Sequence, residues 1–501
     1  MDAAIDLAEV RALHDELARL RRDLLEAEAR HRTVVASRSP DAQPSLRNFL
    51  HYVALRRYEI RPVQERLARL GLSSLGRSEA HVLASLDAVL RVLAALAGEG
   101  AGPTSEGAPG FEDGERLLEA RCERVLGPRP EGRRTRIMVT LPGEAALDGA
   151  LVRSLVERGM NLVRINCAHD DAAAWERMIA NVRAAAAEVR RPCLVAMDLA
   201  GPKLRTGLVG EEISLRPGDP LLLLRAQEVG RPQGIDASSG TRTAARVSCT
   251  LPRALDFVEV GEAVWLDDGK IGGVIEDVDD VGALVRITHA RKKGSELAAD
   301  KGINLPDSAL ALPAVTDKDR EDLAFVARHA DLVGLSFVQR PSDVEDVGRC
   351  LAELAIPRER ELGMILKIET RRAFAELPGL LLATLGTRPV GVMIARGDLA
   401  VEVGYERLAE VQEEMLWLAE AAHAPVVWAT QVLERLAKKG RPSRAEITDA
   451  AMGERAECVM LNKGPHIEEA VTMLDGILRR MEGHQHKKSA MMRPLSVSRG
   501  V

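Results

Sequence analysis

TRIMVTL (135–141), MNLVRIN (160–166), CLVAMDL (193–199), LVGLSF (332–337), GMILKIE (363–369), VGVMIAR (390–396), APVVWAT (424–430) and ECVMLN (457–462) are short apolar runs, each with a polar or charged residue at its last or next-to-last position. A helix-like stretch follows each, with a long insertion after the third. Such repeated units predict a closed parallel (β/α)8 barrel rather than an open sheet. In that fold chemistry sits where strands end. The strand ends here carry Arg164, Asn166, Asp198, Ser336, Lys367, Glu369, Arg396, Asp398 and Thr430. Carboxylates, two guanidiniums and a lysine on one rim suit a divalent metal and an anionic substrate.

Outward from the barrel, the insertion at 208–312 reads as short β elements: EISL, PLLLL, RVSCTL, AVWLDDGKIGGVIEDV and ALVRITHA, separated by Gly, Asp and Pro. DDGK at 267–270, between two apolar runs, is a hairpin signal. A small all-β domain in this loop would sit above the barrel mouth as a lid. Toward the N-terminus, Ile5, Val10, Leu13, Leu17, Leu20 and Leu24 recur at helical spacing and predict one amphipathic helix over 3–31. A polar break at 37–45 precedes helical stretches over 45–69 and 77–97. The segment GEGAGPTSEGAPG (98–110) reads as a linker.

The expected class is α/β: a TIM barrel with a small all-β domain inserted after strand 3 and an N-terminal α-helical extension. Its expected division is a helical extension and linker at 1–110, barrel at 132–207, lid at 208–312, barrel again at 313–482, and a frayed tail at 483–501. The extension is expected to pack on the outside of the barrel or on another subunit; a separate ligand-binding module is the alternative.

The 501 residues are 46% hydrophobic and 29% charged, so a sizeable core is available, built from Leu, Val and Ala because aromatics are only 3%. A net charge of −6 argues against a general nucleic-acid binder. Six cysteines without a CxxC pair fit buried thiols in a reducing compartment better than a disulfide scaffold. The acidic start MDAAIDLAEV lacks a secretory pattern, and no uncharged apolar run approaches a membrane span. A cytoplasmic protein is expected, without nucleic-acid or membrane partners.

The motifs carry a resemblance. GMNLVRINCAHD (159–170), MDLAGPKLRTG (197–207), DKGINLP (300–306), SFVQRPSDV (336–344), LKIET (366–370), ARGDLAVE (395–402), WATQVLE (428–434) and RPSRAEITDAA (441–451) resemble, in order, those of the pyruvate kinase family over roughly 135–482. The resemblance implies phosphoryl transfer from phosphoenolpyruvate to ADP, followed by protonation of the enolate. It implies Mg²⁺ (or Mn²⁺) at Glu369 and Asp398. Lys367, Arg164 and Thr430 resemble the catalytic set. Arg164, Ser336, Phe337, Gly397, Asp398 and Thr430 resemble the substrate-binding set, and Arg205, Lys301 and His169 the nucleotide side. The chain is expected to form a homo-oligomer. The residue types suit this chemistry, because phosphoryl transfer needs mainly positioning and positive charge. A salt bridge between Lys367 and Glu369 would explain that pair structurally, and a lone His169 at a strand end is equally consistent with a structural role.

Departures from the pattern matter as much. The family's monovalent-cation site would fall at Asn166, Ala168, Asp198 and Leu199, and two of these cannot supply the usual side-chain ligands. Lys203 nearby resembles the lysine of members that do not need K⁺, so K⁺ is expected to be dispensable. The last-strand loop is MLNKGPHIEEA, with Asn462 where the family has a serine that relays a proton, and Lys463 beside it. The first-strand loop TLPGEA lacks the family's Gly-Pro order. No counterpart of the family's C-terminal α/β domain is read in this sequence, so fructose bisphosphate is expected to have no effect. Another Mg²⁺-dependent enolate reaction, a decarboxylase or lyase, or a catalytically weak phosphoenolpyruvate-binding scaffold are the alternatives.

Overall fold

The computed structural model describes residues 6–100, 102–104, 107–235, 242–354, 361–486 and 489–490. Eight parallel strands close into a barrel: β1 (Arg136–Thr140), β2 (Leu162–Asn166), β3 (Leu194–Asp198), β4 (Leu332–Leu335), β5 (Gly363–Ile368), β6 (Val390–Ala395), β7 (Val426–Ala429) and β8 (Cys458–Leu461). Each neighbours the next in sequence, and β8 pairs with β1. Their Val, Ile, Leu and Met content suits strands covered on both faces. The register sets the site: Thr140 lies beside Arg164, Asn166 beside Asp198, and Asp198 beside Gly334. A Cβ on Gly334 would sit 2.1 Å from an Asp198 carboxylate oxygen, so only glycine leaves room for that side chain.

The barrel floor is closed by a helix, Phe111–Leu126, that belongs to none of the expected units. Its Val125 and Leu126 join Met138, Leu162, Ile365 and Cys458 in one buried cluster. Arg136, fully buried at the start of β1, donates to the Gly127 carbonyl oxygen from Nη2 (2.9 Å) and also pairs with Glu119. That network anchors the helix to the strand.

Between β3 and β4 a six-stranded sheet forms over its own apolar core, which includes Leu221, Val247, Val264, Ile275 and Val285. The hairpin expected at DDGK joins strands Ala263–Leu266 and Ile271–Val278. Asp267, Asp268 and Gly269 have φ of 51°, 54° and 83°, the left-handed backbone that Asp-Gly turns tolerate. The tip reaches the barrel rim: a Cβ on Gly269 would contact Val401 at 3.4 Å.

In the N-terminal extension, Asp6 caps the helix Leu7–Arg30, whose Val10, Leu13, Leu17, Leu20 and Leu24 are buried. Ile5 lies outside the described residues, as does most of the expected tail. The stretch expected to be helical over 45–69 is two helices, Gln43–Leu55 and Arg61–Arg69, because Pro62 fits only the first turn of a helix. Glu79–Ala97 reaches the length and mean hydropathy (1.7) of a membrane span, but it carries Glu79, Asp87 and Arg91 and so is not an uncharged run. Half of it is buried in the fold, and its Asp87 pairs with Arg21 of the first helix at 2.6 Å.

The extension packs on the barrel's outside, near the ends of helices that lead into strands. Asn48 Nδ2 donates to the Ala421 carbonyl oxygen (2.8 Å), Ser45 Oγ lies 2.9 Å from His423 Nδ1, and Arg38 donates to the carbonyl oxygens of Leu382 and Ala383. These contacts lie at the floor side, away from the rim where the strands end.

Candidate active site

Strand ends and lid enclose a cavity of about 470 Å³. Its wall is a chain of alternating charges. Arg164 Nε donates to Asp198 (2.7 Å) and Nη1 donates to Thr140 Oγ1 (3.2 Å). Lys367 Nζ lies 3.3 Å from the same Asp198 oxygen, 3.2 Å from Glu369, and donates to Ser336 Oγ (2.7 Å). Lys367 and Glu369, two residues apart on β5, face the same side as strand alternation requires. Ser336 Oγ passes its own hydrogen to the Leu199 carbonyl oxygen (2.7 Å). Gly201, at φ 68°, lets the β3 loop approach Ser336 so closely that a Cβ there would meet its carbonyl oxygen at 2.6 Å.

Burial alone would raise the Asp198 carboxyl, but Arg164 and Lys367 outweigh it and hold it below the usual range. Burial alone would likewise lower the Lys367 ammonium, but Glu369 and Asp198 hold it above its usual value, so it stays charged. Glu369 is pushed up by burial; Lys367 opposes the shift and the nearby Asp398 carboxylate adds to it. Its Oε2 accepts the Phe337 N–H at 2.7 Å, and Phe337 holds a left-handed backbone (φ 57°) that aims this donor at the carboxylate.

Asp398 lies in the first turn of the helix Arg396–Val403, next to Gly397. Lys203 Nζ sits 2.9 Å from both Asp398 oxygens and over the Phe337 ring at 5.5 Å. The structure therefore places Lys203 on Asp398, while the cations beside Asp198 are Arg164 and Lys367. Asn166 faces the same cavity and accepts the Ala168 N–H.

Thr430 and Gln431 are left-handed (φ 71° and 64°), and Arg396 braces them. Its guanidinium donates to the Ala429 and Thr430 carbonyl oxygens, pairs with Asp449, and stacks over Trp428 at 4.7 Å. Arg396 thus has an ion-pair partner of its own and positions Thr430, whereas the strand-end pattern alone suggested a guanidinium available to substrate. A Cβ on Gly397 would come within 3.1 Å of the Thr430 methyl, so glycine lets these two elements close together.

The nucleotide-side residues scatter. Arg205 lines the main cavity and donates to the Asp300 carbonyl oxygen (3.1 Å). His169 lines an adjoining cavity of about 200 Å³ with Lys463, Lys438 and Asn462. Burial and the nearby Lys463 push its imidazole down, favouring the neutral ring. Lys301 lines neither cavity and lies 3.5 Å from Asp267. Asn462 lines both cavities and accepts a hydrogen bond from Thr140 Oγ1 (3.4 Å). Asp268 at the lid tip and Gln431 also line the main cavity. Neither was singled out from the sequence, although DDGK marked the turn and TQ follows the APVVWA strand.

A buried chain of alternating charges beside the Asp398 carboxylate, at the mouth of a (β/α)8 barrel, is an arrangement that suits an anionic substrate and a divalent cation. The family model of the pyruvate kinase barrel domain matches residues 132–468. The chain is 33% identical over 364 residues to pyruvate kinase 2 of Synechocystis sp., covering 70% of this chain and 57% of that protein. It is 31% identical over 384 residues to pyruvate kinase PKLR of Homo sapiens (73% and 63%), and 32% identical over 358 residues to a pyruvate kinase of Methylorubrum extorquens (70% and 69%). The chain belongs to the pyruvate kinase family. It spans about three fifths of the length of the first two of these relatives.

Proposed function

We propose that this chain transfers a phosphoryl group from phosphoenolpyruvate to ADP and protonates the resulting enolate to pyruvate. The observation that carries the reading is the buried Arg164–Asp198–Lys367–Glu369 chain facing the same cavity as Asp398. Family membership supports it.

Arg164, fixed by Asp198 and Thr140, holds the phosphoryl group of the substrate. The carboxylate of the substrate meets the N–H groups of Gly397 and Asp398 at a helix start, where backbone donors and the helix dipole favour an anion, and the Thr430 hydroxyl beside them. Ser336 and Phe337 form the opposite wall. Lys367 keeps its proton in the buried site and meets negative charge as it develops on the transferring group and on the enolate oxygen. Because its position is fixed before substrate arrives, little reorganisation is needed.

The donor set fits a divalent metal. Glu369 and Asp398 offer hard oxygens on one cavity. Two carboxylates suffice for Mg²⁺, which keeps positions for water and substrate and supplies charge to phosphoryl oxygens when bound. The ion would compete with the Lys203 ammonium for Asp398. Arg205, His169 and Lys301 are proposed on the nucleotide side, and added K⁺ is proposed to be unnecessary, with Arg164 and Lys367 beside Asp198 and Lys203 on Asp398. Asn462 stands where the family has a hydroxyl relay, and an amide does not pass a proton as a hydroxyl does, so the Thr430 hydroxyl, which lines the same cavity, is proposed beside the protonated carbon.

A coupled assay of pyruvate release tests the proposal. Turnover should require phosphoenolpyruvate, ADP and Mg²⁺ together, and pyruvate formed equally fast without ADP would refute it.

A further inference from the structure

The seam between the N-terminal helices and the barrel floor encloses a third cavity, of about 240 Å³, far from the strand ends that carry the chemistry. Several segments meet there: Ser39 and Asp41 from the turn before Gln43–Leu55, Arg121 and Arg124 from the floor helix, Glu361 ahead of β5, and Arg388 ahead of β6. The close approach is built in. Gly386 has φ 78°, and a Cβ there would lie 2.7 Å from the Cβ of Ala42.

Three guanidiniums face two carboxylates, and the pairing is uneven. Arg124 takes both, at 2.9 Å from Glu361 and 3.5 Å from Asp41. Arg121 donates to the Ala422 carbonyl oxygen (2.8 Å) and has no carboxylate within ion-pair distance among the described residues. Arg388 has neither a hydrogen bond nor an ion pair among the described residues. Burial pushes the Arg121 guanidinium down to about 10, with Asp41 opposing and Arg124 adding repulsion. Burial also lowers Arg388, with Glu361 opposing. Half-buried charge without a counter-charge is destabilising, and a guanidinium fork matches the oxygens of a phosphate or carboxylate.

We propose that this seam cavity binds a small multivalent oxyanion, a phosphate ester or a polycarboxylate, between Arg121 and Arg388. Its volume is below the roughly 300–1,000 Å³ of drug-sized sites, which limits the ligand to few heavy atoms. The bound anion joins the extension to the floor, at the beginnings of the two strands that lead to Lys367 and to Asp398.

The test uses the full chain without added divalent metal. Thermal melts are recorded against inorganic phosphate and, separately, citrate, each compared with chloride at equal ionic strength. At least one anion should raise the melting temperature saturably, as a ligand of the native state does; which one does so assigns phosphate or carboxylate chemistry. Arg388→Gln and Arg121→Gln should each weaken that response at least tenfold in anion concentration. Without anion, Arg388→Gln should melt no lower than wild type, because Arg388 has no ion-pair partner among the described residues. A lower melting point would show that Arg388 holds the loop structurally and overturns the proposal. So would a saturable rise undiminished in both variants, which would place the anion at Arg164 instead, or no saturable rise with either anion.

Discussion

Replacing Lys367 with methionine removes the one ammonium that touches Ser336, Asp198 and Glu369 together, at 2.7, 3.3 and 3.2 Å. Removing one partner of a buried ion pair commonly costs about 3–5 kcal/mol, because the other charge is left unpaired. Here neither carboxylate is abandoned: Asp198 keeps Arg164 at 2.7 Å, and Glu369 keeps the Phe337 N–H at 2.7 Å. The substitution also removes the desolvation of the ammonium itself. The loss of stability should therefore fall below that range, at about 1–3 kcal/mol. Catalysis has no such substitute. A preorganised group stabilising transition-state charge is worth about 10²–10³ in kcat, or roughly 2.7–4 kcal/mol. Turnover should fall by at least that factor while the urea transition remains cooperative. Steady-state kinetics and urea unfolding on the same preparation separate the two effects. Lys367→Met with kcat within tenfold of wild type would refute the role of Lys367; so would loss of activity that merely follows unfolding.

Turnover should be the same in KCl and in tetramethylammonium chloride of equal ionic strength, since lysine and arginine already face the carboxylates; Lys203→Glu should depress it, and a large saturable K⁺ activation of wild type would contradict this. Asn48→Ala should lower stability by about 2–4 kcal/mol, because its amide makes three buried hydrogen bonds, to the Glu79 and Ala421 carbonyl oxygens and from the Val82 N–H; an unchanged urea midpoint would show that the seam carries little energy. Glu454 is pushed up to about 7 by burial and by Glu482, from an ordinary value of 4.5. The native state holds a proton that the unfolded chain releases at lower pH, so this group favours folding in acid and that contribution is lost as pH rises through about 7. Glu454→Gln should therefore gain melting temperature relative to wild type between pH 4.5 and 7, and parallel curves would contradict the assignment.

The barrel was legible because its eight strands are buried on both faces and read as continuous apolar runs, and the lid because DDGK forms a turn that few other residues tolerate. The floor helix Phe111–Leu126 escaped because its buried face is short, Cys122, Val125 and Leu126 near its end, behind a Gly/Pro-rich segment. The break between Gln43–Leu55 and Arg61–Arg69 was visible in Pro62, but periodicity on either side masked it. At the site, spacing placed Lys367 and Glu369 on one face. It could not show that Arg396 pairs with Asp449, since that depends on a helix more than fifty residues later, nor that Lys203 reaches Asp398 across the barrel mouth. Those partners are set by tertiary approach, which local pattern does not encode.

The central claim is phosphoryl transfer between two substrates, and ³¹P NMR follows both ends of it in one tube. With phosphoenolpyruvate, ADP and Mg²⁺, the phosphoenolpyruvate resonance should decline as the γ-phosphate resonance of ATP grows in equal amount, and neither should change with Lys367→Met. Release of inorganic phosphate in place of ATP, or a phosphoenolpyruvate signal that persists with folded wild-type protein, would contradict the account.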